Sequence, residues 1–364
     1  MDNFDIYDTI IENAMKEWYS SMNNKTNDNN WEIPKYSGNQ IEKAGKILAN
    51  INSSQNENNE ALEILNNWRA SHAYPLQSIT SNLIQDNPNA IVVQRLKRLD
   101  SIVGKLQRNP KMNLYKMQDL GGCRVIVESI DKVYESLKNY KFSSTHILKK
   151  ENDYILNPKN SGYRSFHVVY QYYDNQILHY NKNIFIEIQF RTKLQHIWAT
   201  AVEVMGIYTN SQLKASIGNE EILRFFVLVS SIFSLMENTP ICPNTSNNKL
   251  ELIKELKEID KKYNIVSRLS AISVAIKHTN ATMNGKGYYL LQLNFNKKLL
   301  RVNGFNINQI GAATNAYNQI EARKNPNMDV VLVSATSFDE LKAAYPNYFT
   351  DISQFVSMMR NMLT

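Results

Sequence analysis

Residues 183–203 read NIFIEIQFRTKLQHIWATAVE, and the spacing of their apolar side chains changes at Thr192. Before that point, Ile186, Ile188 and Phe190 alternate with polar residues, which predicts a strand with one buried face. After it, apolar residues recur at intervals of three and four, which predicts a helix. A strand that leads directly into a helix indicates an architecture in which both elements pack on one core.

The same alternation of strand and helix patterns extends through residues 91–208 and predicts an α+β fold, a mixed sheet flanked by helices. Short apolar stretches predict three further strands, CRVIV at 123–127, SSTHILKK at 143–150 and FHVVY at 166–170. SIDKVYESLKNY, residues 129–140, predicts a helix between the first two of them. One amphipathic helix is predicted over Ile91–Arg108, where apolar residues recur at intervals of three and four.

The flanking regions carry patterns of their own. A helix is predicted to begin near Glu60 and to be interrupted or restarted at Pro75, while the Asn-rich stretches from Asn23 and Asn50 are predicted to be surface loops or weakly ordered connectors. Residues 219–240 predict an apolar helix, and Leu252 to Val266 predict one long helix.

The end of the chain predicts a hairpin, a helix, a strand and a final helical part, a small second α+β unit. We therefore divide the chain into an N-terminal helical region (1–84), an α+β domain (85–212), a helical connector (213–275) and a C-terminal accessory domain (276–364).

Composition excludes some classes of protein. The 41 Lys and Arg against 34 Asp and Glu give a net charge of +7, which suits nucleotides or RNA without requiring them. Cys123 and Cys242 are too few and too far apart for a disulfide framework or a cysteine zinc site. The start of the chain has no signal-peptide pattern and no apolar run spans a bilayer, so we expect a cytoplasmic protein without a membrane partner.

Polar side chains gather where the predicted strands meet loops. Asp119 precedes two glycines and a strand, and Glu187 shares one face of its strand with Gln189 and Arg191. Each of these features alone is typical of an ordinary solvated surface. Together with the surrounding lysines and arginines, the two carboxylates suit phosphoryl-type transfer, in which carboxylates hold Mg²⁺ and cations stabilise a triphosphate. A P-loop NTPase is excluded because the chain has no Walker glycine motif.

Four blocks in this order resemble the synthetase domain of RelA/SpoT alarmone synthetases: RLKRLDSIVGKL (95–106), QDLGGCRVIV (118–127), NPKNSGYRSFHVV (157–169) and EIQFRTKLQHIWATAVE (187–203). The likeness covers roughly residues 90–205, and residues 60–84 look like the helical lead-in of single-synthetase members. It implies a nucleotidyltransferase-like fold and transfer of the β,γ-pyrophosphate of ATP to the 3′-hydroxyl of GDP or GTP. Members with a hydrolase domain carry a His-Asp motif, and none of the six histidines here precedes an aspartate.

The resemblance also implies roles for individual residues. Asp119 and Glu187 are the expected catalytic residues and Mg²⁺ ligands, and Glu187 also activates the hydroxyl. The expected ATP-binding residues are Arg95, Lys97, Ser101, Lys105 and Arg124. The expected acceptor-binding residues are Tyr163, whose ring stacks on the acceptor base, with His167, Gln189 and Arg191.

Three functions follow from these patterns. The first is a pyrophosphokinase acting on ATP and a guanine nucleotide. The second is a toxic relative that modifies the 3′ end of tRNA or an adenine nucleotide and is restrained or triggered through its C-terminal domain. The third is a non-catalytic nucleotide-binding module. The acceptor, a homo-oligomeric state and a regulatory protein partner stay open.

Overall fold

The computed structural model of the chain describes residues 31–208, 218–273, 277–278, 287–294, 297, 299–323, 325, 328–345 and 352–364. Its strands are β1 Ile91–Leu96, β2 Gly121–Val127, β3 Ile147–Asp153, β4 Phe166–Gln171, β5 Phe185–Thr192, β6 Lys277–His278, β7 Gly287–Asn294, β8 Leu299–Asn306 and β9 Met328–Ala335. In the described residues they form one mixed sheet in the order β3-β4-β5-β2-β1-β9-β7-β8-β6.

Helices flank this sheet. The N-terminal ones are α1 Gly38–Ala49, α2 Gln55–Ala70, α3 Ala73–Asp86, α4 Leu99–Arg108 and α5 Ile130–Ser143. After β5 come α6 Lys193–Tyr208, α7 Glu220–Met236, α8 Lys249–Tyr263, α9 Ile265–Ser273, α10 Ile310–Glu321, α11 Phe338–Ala344 and α12 Ser353–Leu363. The predicted α+β fold, a mixed sheet flanked by helices, is confirmed.

The single helix predicted over Ile91–Arg108 is wrong, because this segment is β1 followed by α4. Every residue of β1 pairs with β2 in antiparallel register, from Ile91 opposite Ile126 to Leu96 opposite Gly121. Three consecutive β-branched residues at the start of the segment favour a strand. The spacing of apolar residues could not reveal this, because the partner strand lies further along the chain.

Two further expectations are corrected. The long helix predicted from Leu252 to Val266 is interrupted at Asn264, whose φ of 52° is left-handed and ends α8. The Asn-rich stretch from Asn50 contains the start of α2: the Ser54 hydroxyl accepts from the backbone N–H of Glu57, and the Glu57 carboxylate accepts from the N–H of Ser54. The stretch from Asn23 lies outside the described residues as far as residue 30.

The two faces of the sheet have different neighbours. One face packs on α1–α5 and α10 through a large apolar cluster that includes Val125, Ile188 and Leu290. On the opposite face, a smaller apolar cluster covers β1, β9, β7 and β8 and includes Ile126 of β2 and residues of α11. The remaining part of that face, over β3, β4, β5, β2 and β1, forms an open cleft.

The C-terminal strands continue the sheet. β9 pairs with β1 at Gln94 opposite Ser334 and at Arg95 opposite Val333. The sheet therefore crosses the boundary drawn between residues 85–212 and 276–364, and the division into four domains stays a prediction. In the described part of the chain, no helix is long and apolar enough to cross a membrane.

Candidate active site

Two rows of residues that cross five strands form the floor of the cleft, a cavity of about 400 Å³. The first row, from β3 to β1, is Lys150, Val169, Glu187, Gly122 and Arg95. The second row is Asn152, His167, Gln189, Arg124 and Val93. Because side chains alternate between the faces of a strand, positions two apart place both rows on the same side of the sheet. Glu187 thus lies between cations at the two ends of its row, beside the space left by Gly122.

Asp119 lies just before β2 and is held by two lysines. Lys97, from the loop between β1 and α4, and Lys105 of α4 each place Nζ 2.9 Å from Asp119 Oδ2. Burial alone would raise the pKa of Asp119, but these two ammonium groups lower it below its ordinary value. Asp119 Oδ1 is buried and has no hydrogen-bond partner among the described residues, so one carboxylate oxygen is left unsatisfied.

Glu187 is held by its neighbours on β4 and β5. Its Oε1 lies 3.1 Å from His167 Nδ1, and its Oε2 accepts a hydrogen bond of 2.7 Å from Gln189 Nε2. Burial opposes ionisation, but the contacts with His167 and Gln189 lower the pKa of Glu187 to about 2. Glu187 is therefore a carboxylate at neutral pH.

Tyr163 and Arg191 extend this network away from the cleft. The Tyr163 hydroxyl lies 2.8 Å from His167 Nε2 and accepts a hydrogen bond of 3.1 Å from Arg191 Nη2. Although burial opposes the shift, Arg191 and His167 lower the pKa of Tyr163 to about 7. Burial likewise opposes a rise at His167, but Tyr163 and Glu187 raise the pKa of His167 above its ordinary value.

Arg124 contacts the C-terminal part of the chain. Its Nη1 donates a hydrogen bond of 3.0 Å to the Ala344 carbonyl, and its guanidinium lies 5.8 Å from the centre of the Tyr345 ring. The Tyr345 hydroxyl in turn donates to the carbonyl of Gln94 on β1. Tyr345, the residue after α11, thus contributes to one wall of the cleft.

The structure brings eight of the eleven expected site residues into the lining of this cleft: Arg95, Lys97, Lys105, Asp119, Arg124, His167, Glu187 and Gln189. Three others are not among the lining residues. Ser101 is half-buried on α4, Arg191 is 2% exposed behind Gln189, and Tyr163 packs against the apolar cluster of α6 to α9 and α12. The roles that the resemblance implies for all eleven stay predictions.

Several lining residues were missed by the reasoning from sequence: Gln118, Lys150, Asn152, Tyr154, Lys159 and Tyr345. Lys150 ends the strand predicted over 143–150, but Asn152 lies beyond that prediction, and only the observed strand, which continues to Asp153, places both side chains on one face. Lys159 Nζ lies 4.3 Å from the centre of the Tyr154 ring, so this wall combines an aromatic surface with a cation. No local pattern marks Tyr345, which reaches the cleft only through the pairing of β9 with β1.

Comparison with known proteins identifies the central part of the chain. Residues 94–212 match the family model of the "Region found in RelA / SpoT proteins". The GTP pyrophosphokinase YjbM of Bacillus subtilis is 33% identical over 117 residues, which are 31% of this chain and 54% of that protein. The GTP pyrophosphokinase YwaC of the same organism is 29% identical over 145 residues, 38% of this chain and 69% of that protein. The chain thus spans about half the length of the first relative and about two thirds of the second.

Solved structures give related matches. Small alarmone synthetase 2 from Bacillus subtilis is 23% identical, with a TM-score of 0.40, over 47% of this chain and 93% of that one. A GTP pyrophosphokinase family protein from Streptococcus pneumoniae is 27% identical, with a TM-score of 0.39, over 51% and 91% of the two chains. Small alarmone synthetase 1 from Bacillus subtilis bound to pppGpp is 27% identical, with a TM-score of 0.35, over 40% and 73%. By the match to the family model, residues 94–212 are a region of the RelA/SpoT type, as the four sequence blocks predicted.

Proposed function

We propose that this chain is a Mg²⁺-dependent pyrophosphokinase that transfers the β,γ-pyrophosphate of ATP to the 3′-hydroxyl of GDP or GTP and so makes (p)ppGpp. The observation that carries the proposal is the position of Asp119 and Glu187 in one cleft, with cations on both sides of them. The names of the curated relatives and the family match support the same chemistry.

The positively charged side chains of the cleft lie in two groups, one on each side of it. Arg95, Lys97 and Lys105 lie on the side of β1 and α4, while Lys150 and Lys159 lie on the side of β3. A triphosphate donor and a phosphorylated acceptor are both anionic, and positive groups on each side allow both to bind with the reacting atoms between them. We assign ATP to the β1 side and the acceptor to the β3 side.

Asp119 and Glu187 would hold Mg²⁺, because carboxylate oxygens are the ligands this ion prefers and Asp119 Oδ1 has no hydrogen-bond partner among the described residues. No group of three His, Cys, Asp or Glu side chains that could hold a metal occurs within the described ranges. The two carboxylates would therefore share the ion with substrate phosphates, as is usual for Mg²⁺. Bound there, the ion would neutralise charge on the transferred group.

Glu187 is the proposed acceptor of the hydroxyl proton. With a pKa of about 2 it is ionised in the whole range in which the enzyme would work. So weak a base takes the proton as the hydroxyl oxygen bonds to phosphorus and becomes acidic, and not before. The hydrogen bonds from His167 and Gln189 hold both carboxylate oxygens in place for this step.

The test is a transfer assay with purified protein, Mg²⁺, labelled ATP and, separately, GDP, GTP, an adenine nucleotide or bulk tRNA. We expect labelled product from a guanine nucleotide, and we expect Asp119→Asn or Glu187→Gln to lower its rate by about a hundredfold or more. Glu151→Gln is the matched control, because Glu151 lies on β3 between the cleft residues Lys150 and Asn152 and pairs with Lys141 instead.

Other results would replace the proposal. Label on tRNA or on an adenine nucleotide alone would overturn the guanosine acceptor and keep the chemistry. Label on no acceptor would favour a non-catalytic nucleotide-binding module.

One contact favours a second candidate, a synthetase of the same chemistry that its C-terminal part restrains. Arg124, an expected ATP-binding residue, is engaged by Ala344 and Tyr345. If this contact competes with ATP, Tyr345→Ala increases the rate of labelling and lowers the KM for ATP. If Tyr345 instead helps to bind ATP, the same substitution raises that KM.

A further inference from the structure

The loop of residues 157–165, here called the acceptor loop, packs closely against α6 and against α7, a helix of the helical connector. Gly162 has a φ of 85°, in the left-handed region that glycine adopts most readily. A Cβ on Gly162 would lie 2.9 Å from the Trp198 ring on α6 and 3.3 Å from the Val227 Cα on α7. Only a residue without a side chain allows the loop to approach the two helices this closely.

Ser230 of α7 joins the loop on both sides of Tyr163. Its hydroxyl donates a hydrogen bond of 2.6 Å to the Gly162 carbonyl and accepts one of 3.0 Å from Arg164 Nε. Ser230 is 2% exposed, so neither bond is exchanged readily for water. A single buried hydroxyl thus holds the residues that precede and follow Tyr163.

Arg164 connects this hydroxyl to two other segments. The side chain is 3% exposed; Nη1 donates to the Ile155 carbonyl at 3.0 Å and Nη2 lies 3.5 Å from Cys242 Sγ. All three acceptors of the guanidinium are neutral groups. Burying a cation is costly unless its donors are satisfied, so the positions of the loop, α7 and the segment around Cys242 depend on one another.

We propose that Arg164 and Ser230 are positioning residues, which hold the acceptor loop on α7 so that Tyr163 supports His167 beside Glu187. The proposal rests on the proposed function, because it assigns this side of the cleft to the acceptor. Direct contacts connect Ser230 to Glu187. Tyr163 lies between Gly162 and Arg164, which both bond to Ser230; its hydroxyl contacts His167, and His167 contacts Glu187. The helical connector is then part of the synthetase site.

Ser230→Ala removes both hydrogen bonds and leaves the helix intact. We expect amide hydrogen exchange of residues 157–165 to become roughly tenfold faster, the factor that corresponds to about 1.4 kcal/mol for lost hydrogen bonds. In the full chain with Mg²⁺, we expect the KM for GDP to rise by about the same factor, roughly tenfold, while the KM for ATP changes less than about twofold. Ser234→Ala is the matched control, because Ser234 is also fully buried on α7 but its hydroxyl donates within the same helix, to the Ser231 carbonyl.

Arg164→Lys is the second variant. It keeps the positive charge but loses the planar set of guanidinium donors, so we expect the same faster exchange in residues 157–165 and the same rise in the KM for GDP. This variant replaces Ser230→Ala in the test if Ser230→Ala does not fold. Unchanged exchange in residues 157–165, or an equal effect of Ser234→Ala, overturns the proposal and leaves Ser230 a packing residue. If wild-type protein gives no product from GDP, the guanosine proposal fails. The hydrogen-exchange measurement alone then decides whether Ser230 and Arg164 hold the acceptor loop on α7.

Discussion

Gly121 and Gly122 are neighbours on β2 and face opposite sides of the sheet. A Cβ on Gly121 would lie 2.7 Å from Ile186 Cδ1 in the core, whereas a Cβ on Gly122 would meet only the Glu187 carbonyl, at 3.7 Å. The first glycine is required for packing. The second is required, in the proposed reaction, for space beside Glu187.

These positions give a paired prediction. Gly121→Val should lower the free energy of unfolding by about 1–3 kcal/mol through overpacking. Gly122→Val should leave stability nearly unchanged, because a β-branched residue suits a strand, and should lower the transfer rate by about a hundredfold by displacing the reacting groups. Urea unfolding and the transfer assay measure the two effects. Equal losses of stability in both variants would contradict the assignment of Gly122 to the cleft.

A second prediction at this scale concerns the ionisation of Tyr163. Since its folded-state pKa of about 7 is below the ordinary value of 10, ionisation of Tyr163 stabilises the folded state. That stabilisation is fully present above pH 10 and is lost as pH falls through about 7. We expect tyrosinate absorbance to develop near neutral pH in wild-type protein and to disappear in Tyr163→Phe.

Tyr154→Phe is the control for this titration, because burial raises the pKa of Tyr154 although its ring lies 6.2 Å from that of Tyr163. Wild-type and Tyr163→Phe proteins with the same spectrum near neutral pH would show that Arg191 and His167 do not act on Tyr163 as the distances indicate.

Among the elements, the junction of α8 and α9 depends on one residue. Asn264 is left-handed, and Asp260 Oδ1 accepts a hydrogen bond of 2.9 Å from the N–H of Val266, at the start of α9. Asn264→Gly should change the free energy of unfolding by less than about 0.5 kcal/mol, while Asn264→Val should lower it by about 1–2 kcal/mol. Thermal and urea unfolding measure both. Tolerance of valine would imply that α8 and α9 can join into the single helix that the apolar spacing predicted.

For the whole molecule, the C-terminal strands and the RelA/SpoT-type region behave as one folded body. Besides the pairing of β9 with β1, Arg69 of α2 forms a buried ion pair of 2.7 Å with Glu321 of α10, and Glu321 also accepts a hydrogen bond from the N–H of Leu99. Tyr288 and Phe305 belong to the same apolar cluster as the N-terminal helices. The C-terminal strands therefore complete a core that the region before residue 213 shares.

This arrangement predicts that deletion of residues 276–364 yields insoluble protein, because the deletion exposes the edge of β1 and the part of the shared core that these residues cover. Glu321→Gln is a milder version of the test, since it leaves the Arg69 charge buried and should lower the free energy of unfolding by about 3–5 kcal/mol. Asp339→Asn, whose side chain is 96% exposed, is its control. A soluble deletion variant with the helix content and transfer activity of the full chain would contradict a shared core.

The sequence by itself determined the features that depend on residues a few positions apart. Alternation specified β5 with Ile186 and Ile188 inward and Glu187 outward, and the four motif blocks identified eight residues that line the cleft. Each of these signals is local, because the periods of strands and helices are two and 3.6 residues.

Only the tertiary structure decided features that depend on distant partners. It placed β1 as a strand between β2 and β9, set Ala344 and Tyr345 against Arg124, and turned Tyr163 towards His167 and Arg191. These choices satisfy the backbone hydrogen bonds of a strand and give Arg124 and Arg191 hydrogen-bond acceptors, with some of the partners more than 200 residues away. Periodicity within a segment carries no information about such partners, so folding of the whole chain was needed to choose them.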